Sequence, residues 1–125
     1  MPRLSKLAAL LLVMTACVAP DDRRAEARRL TGGDPDQGRR LIDRYGCAAC
    51  HAIDGVPSAR GLVGPNLNGM RERPFVAGEL THDVESIVSF IRDPKRVDSA
   101  TVMPDLGLDE TEARHVVSYL YTTKN

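Results

Sequence analysis

The chain has no tryptophan, and aromatic residues make up only 4% of its 125 positions. Aromatic side chains carry much of the burial in most cores, and a domain this small is marginal on core burial alone. A bound apolar group would supply the missing volume. Net charge is missing too, since 17 basic residues balance 17 acidic ones. That leaves no basic footprint for nucleic acid. No segment alternates as a strand does, no internal repeat is visible, and the length suits one small domain. The N-terminal apolar run, Leu7 to Ala16, is about ten residues, too short for a membrane span.

Cysteine is scarce, with three residues, and two of them fall in the pentapeptide Cys47-Ala-Ala-Cys50-His51. C-x-x-C-H is the signature of covalent c-type haem attachment. Two thiols three positions apart can add to the two vinyl groups of one haem. The adjacent imidazole is then held against the iron. A redox dithiol would need a βαβ context. A structural zinc site would need four ligands, and the chain has no second C-x-x-C and no H-x-x-x-H.

The third cysteine explains the N-terminus. Arg3 and Lys6 precede the apolar run, and a small residue, Ala16, stands before Cys17. This is an export signal pattern. Met14-Thr15-Ala16-Cys17 resembles a bacterial lipoprotein cleavage box, with Met14 where Leu or Val is usual. The expectation is a signal peptide over 1–16 and a lipidated Cys17 on the periplasmic side of a bacterial membrane. The alternative is ordinary cleavage nearby and a soluble periplasmic protein. Residues 17–33 read as a flexible charged tether, dense in Asp and Arg and broken by Gly32-Gly33. Extended, the sixteen residues after Cys17 would reach about 55 Å.

The folded domain is expected over 34–125. Asp34 and Pro35 read as the cap and first residue of a helix. Gly38, Leu41, Ile42 and Tyr45 follow at i, i+3, i+4, i+7, and Gly46 ends it. Val84, Ile87, Val88 and Ile91 repeat that stripe in a helix over about 83–92, with Asp83 in its first turn and Pro94 as its stop. Asp109 and Glu112 form a capping box before Ala113, Val116, Val117 and Leu120. Residues 52–80 are rich in glycine and proline and read as loops wrapped around something, with a short turn near Met70.

The order of these features resembles a class I c-type cytochrome. A helix with Gly38 precedes C-x-x-C-H, Gly64-Pro65-Asn66-Leu67 follows, Met103-Pro104 lies in a late loop, and the last helix carries Tyr119-Leu120. The resemblance implies an all-α, cytochrome c-like fold of three main helices around one covalent haem c. It assigns the haem to Cys47 and Cys50 and the iron to His51. It implies that the Pro65 carbonyl holds the His51 ring, that Arg73 and Thr101 lie near the propionates, and that Met103 is the sixth ligand. Phe90 departs from the family, where several members carry a tyrosine bonded to the methionine sulfur.

Met70, His82 and His115 are weighed as ligands and set aside. Met70 reads as packing, His82 as a neighbour of the second helix, and His115 as solvent-facing. An iron held by His51 and Met103 has no open position, so no small-molecule substrate is expected there. The function implied is single-electron transfer between respiratory complexes or periplasmic redox proteins. Two alternatives stand beside it: a dedicated haem c subunit of a membrane-associated dehydrogenase or oxidase, and a five-coordinate sensor or enzyme.

Overall fold

The computed structural model describes residues 20–77 and 80–125. Among the described residues, five helices carry the fold: α1 Pro20–Thr31, α2 Pro35–Arg44, α3 Val84–Arg92, α4 Pro94–Val97 and α5 Glu110–Leu120. Single 3-10 turns span Cys47–Ala49 and Met70–Glu72. A two-stranded antiparallel hairpin, β1 Phe75–Val76 and β2 Leu80–Thr81, pairs Phe75 with Thr81. The expected all-α, cytochrome c-like architecture holds. The signal peptide over 1–16 and Cys17 lie outside the described residues.

The caps form as the sequence implies. Asp34 sits in extended backbone and accepts from the Asp36 and Gln37 amides at 2.7 and 3.2 Å, with Pro35 opening α2. Asp109 and Glu112 complete the capping box of α5 at 2.8 and 3.2 Å. Asp83 is the cap of α3 rather than a first-turn residue, accepting from the Ser86 amide at 2.8 Å. Pro94 does end α3, but it also opens the short α4. A proline suits the first helical position because its missing N–H is one of the helix's orphan donors anyway.

α5 is the centre of the packing. It crosses α2 so closely that a Cβ on Gly38 would lie 1.9 Å from the His115 carbonyl oxygen and 3.0 Å from the Tyr119 Cβ. Only glycine permits that approach. The resemblance places an aromatic of the last helix against the first helix of the domain, and Tyr119 packs there. Behind the crossing, Leu41, Ile42, Ala113, Val116, Val117 and Leu120 are buried together. Ile87, Val88 and Ile91 bring α3 against the same core. Each fully buried aliphatic side chain contributes about 1.5–3 kcal/mol.

Two expectations are corrected. The charged tether of 17–33 is, from Pro20 to Thr31, a docked helix. Ala27 and Thr31 are each only 1% exposed, so the buried face is made of small residues. Gly32, at φ +71, then terminates α1, its amide bonding the Arg28 carbonyl at 2.9 Å. His115 is half-buried rather than solvent-facing, because its Nδ1 accepts from the Asp34 amide at 2.8 Å. That bond secures the start of α2 to α5.

Candidate haem site

The chain turns sharply between α2 and the C-x-x-C-H segment. Gly46 makes this turn at φ +70, a left-handed conformation that favours glycine. The following 3-10 turn is closed by Cys50 N–H to Cys47 O at 3.2 Å and His51 N–H to Cys47 O at 3.0 Å. This winding turns Cys47, Cys50 and His51 toward one cavity of about 530 Å³. Ligand sites commonly hold about 300–1,000 Å³. Its inner wall is aliphatic, with Ile42 from α2, Ile87 and Ile91 from α3, and Val116 and Leu120 from α5.

The residues that the sequence nominates for the haem are brought together here. Cys47, Cys50, His51, Pro65, Arg73, Thr101 and Met103 line this one cavity. His51 Nδ1–H donates to the Pro65 carbonyl at 2.8 Å, which fixes the ring and leaves Nε2 free for a metal. Gly64 makes room for that ring, since a Cβ there would lie 2.3 Å from His51 Cε1. Thr101 Oγ1 accepts from the Met103 amide at 3.3 Å and braces the loop that carries the thioether. Phe90 lines the same cavity, so a bare ring stands where the resemblance would place a tyrosine hydroxyl.

Arg73 has a second task. One guanidinium nitrogen donates to the Asn66 and Asn68 carbonyls at 2.5 and 2.8 Å. It therefore ties down the segment holding Pro65 while it lines the cavity. Asn68 is tied in turn, with its side-chain oxygen accepting from the Asp54 amide at 2.6 Å. Tyr119 of α5 donates to the Asp54 carbonyl at 2.8 Å. Sequence reading missed Asn68, Gly64 and Tyr45 as parts of this frame. Tyr45 lines the cavity and donates to Glu112 at 2.7 Å, joining the end of α2 to the start of α5. The spacing of the G-P-N-L segment marks Gly64; nothing local marks the other two.

Of the rejected candidates, His82 and His115 lie outside this cavity. His82 stacks on Tyr121 with ring centroids 5.7 Å apart, and His115 binds the Asp34 amide. Met70 is buried packing on the cavity wall. Among the described residues, no three of His, Cys, Asp and Glu gather as a metal site. Burial pushes the Cys47 thiol up, whereas redox-active dithiols hold a depressed thiol. Apolar walls, two thiols one turn apart and an oriented imidazole fit a covalently held haem.

The cytochrome c family model matches residues 35–124. The chain belongs to the cytochrome c family. It is 33% identical over 101 residues to cytochrome c2 of Rhodoblastus acidophilus, covering 70% of this chain and 91% of that protein. It is 32% identical over 103 residues to cytochrome c oxidase subunit 2 of Alkalihalophilus pseudofirmus. That match covers 80% of this chain and spans only 29% of the oxidase subunit. No solved structure matches. This cytochrome carries one covalently attached haem c, with iron, and is a haem electron carrier. Among its described residues, no helix is long and apolar enough to cross a membrane.

Proposed function

We propose that this cytochrome carries single electrons through an iron held by His51 and Met103. Cys47 and Cys50 hold the haem, and Arg73 and Thr101 lie toward its propionates. The observation that carries the reading is the placement of His51 and Met103 on one cavity, with His51 already oriented by Pro65. The haem supplies a reversible one-electron change at iron. The chain supplies an apolar wall, which excludes water, and two side chains, His51 and Met103, that would hold the iron. With both bound, the iron would have no vacancy for substrate. Thioether sulfur favours the reduced iron and raises the potential over a two-histidine site.

The protein is exported, and Cys17 bears the lipid that holds it on the periplasmic side of a bacterial membrane. The pattern from Arg3 to Cys17 supports this. Its partners are periplasmic redox proteins or membrane respiratory complexes. From Asp34 onward the domain holds 11 basic and 14 acidic residues. An acidic partner patch of the kind that steers lysine-rich carriers is therefore not expected. A second reading, a dedicated haem subunit of one oxidase complex, is favoured by the similarity to an oxidase subunit 2.

Carbon monoxide tests the closed iron. The reduced wild-type protein resists it, and Met103→Ala takes it up readily. Ready binding by the wild type would overturn the reading in favour of a sensor or enzyme. Recovery from detergent extracts in fixed ratio with oxidase subunits would favour the second reading.

A further inference from the structure

We propose that α1 is a rigid mount that fixes how the domain stands on a lipid surface. The inference rests on the reading of Cys17 as the lipidated residue. Only residues 18 and 19 separate Cys17 from Pro20, where α1 begins. Three Cα-to-Cα steps span at most about 11 Å. An undocked chain over 18–33 would instead reach about 55 Å. The lipid attachment point therefore lies close to a helix that is itself fixed to the domain.

α1 is held from Arg23 to Thr31, by groups from four separate segments. Near its start, Arg23 donates to the Thr123 carbonyl at 3.4 Å and approaches Glu72 at 3.9 Å. In its middle, Arg24 pairs with Asp36, and Glu26 receives Arg71 at 3.3 Å. Toward its end, Arg28 reaches Asp34 and Asp36 at 3.4 and 3.2 Å. At its last residue, Arg114 of α5 donates to the Thr31 carbonyl at 3.2 Å. Thr31 also bonds the Ala27 carbonyl at 2.7 Å, and both residues are buried. Any one exposed pair is weak, but pairs at both ends oppose a pivot about either.

The contacts also give a direction. Arg23 meets Thr123, after α5, and Thr31 meets Arg114, within it, so α1 runs antiparallel to α5. The lipid-facing end of the domain is then formed by the start of α1, the tail Thr123–Asn125 and the turn at Met70–Glu72. Exposed Arg71, Glu72 and Lys124 stand at that end. α1 lies before the 35–124 span that matches the family. The mount is thus an addition to the electron-carrying domain. With its base fixed, the haem cavity keeps one tilt to the membrane, and a membrane-bound partner meets one presented face.

The test uses the haem-loaded protein beginning at Cys17. Haem occupies two of the three cysteines, so Cys17 is the free thiol and can be coupled to a maleimide lipid in phosphatidylcholine bilayers. Linear dichroism of the haem absorption band is read on stacked, oriented bilayers. The expected result is clear dichroism in the wild type, lost when 20–31 is replaced by a Gly-Ser segment of equal length and reduced by Ala27→Asp. An isotropic haem in the wild type, or full dichroism in the Gly-Ser variant, overturns the proposal. The mass of the native N-terminus, measured separately, decides the lipid reading. A bare Cys17 would overturn both reading and mount, whereas an isotropic haem overturns the mount alone.

Discussion

Gly64 has no Cβ where one would lie 2.3 Å from His51 Cε1. The histidine ring therefore rests against bare backbone, one residue before the carbonyl that holds its Nδ1 proton. This single contact links the glycine-rich loop to the orientation of the imidazole proposed to hold the iron.

Gly64→Ala tests that link. Over-packing of this kind costs about 1–3 kcal/mol, and the ring must turn or the loop must move. The Pro65 bond weakens in either case. In proton NMR of the reduced protein, the His51 ring N–H should exchange with water faster than in wild type. An unchanged exchange rate would show that the loop yields freely and does not position the ring.

The crossing of α2 and α5 makes a different demand at Gly38. A Cβ there meets the His115 carbonyl at 1.9 Å, so Gly38→Ala forces the two helices apart. A loss of about 3 kcal/mol is expected, at the upper end of over-packing effects. Gly32→Ala is the control. It has open space around its Cβ but a φ of +71, and a left-handed alanine costs about 1–2 kcal/mol. Thermal melts of both variants should rank Gly38→Ala well below Gly32→Ala. Equal melting points would mean that the crossing is loosely packed.

Acid should weaken the cap of α3. The Ser86 amide and hydroxyl donate to Asp83 at 2.8 and 2.7 Å, and these bonds hold its carboxyl below the usual range. Its unfolded value is about 3.9. A depressed folded value means that the unfolded chain binds the proton more readily, so stability rises with pH across this window. The contribution is complete above the unfolded value and is lost as pH falls through the lower, folded one. Urea midpoints should show wild type above Asp83→Asn at neutral pH, with the gap closing in acid. A gap independent of pH would remove Asp83 as the titrating cap.

Much of this was legible because it is local. The stripes ending in Tyr45, Ile91 and Leu120, with Asp34, Asp83 and Asp109 before them, encode three helices within short windows. C-x-x-C-H is equally local, since one turn carries all three groups. α1 was hidden because its buried face is Ala27 and Thr31 rather than a run of large aliphatics. Its charges read as solvated, whereas Arg23 and Glu26 meet Glu72 and Arg71, distant in sequence. His115 was misplaced for the same reason, as periodicity carries no sign of the Asp34 amide opposite it. Likewise, Arg73 gives no local hint that it would bridge two carbonyls of the Pro65 segment. The hairpin of β1 and β2 is too short to show alternation.

The far-red absorption spectrum of the oxidised protein tests most directly whether the iron is held between His51 and Met103. Fe(III)–methionine ligation gives a weak far-red band, which the wild type should show and Met103→Ala should lack. A wild type without the band, or a Met103→Ala variant that retains it, would contradict the account.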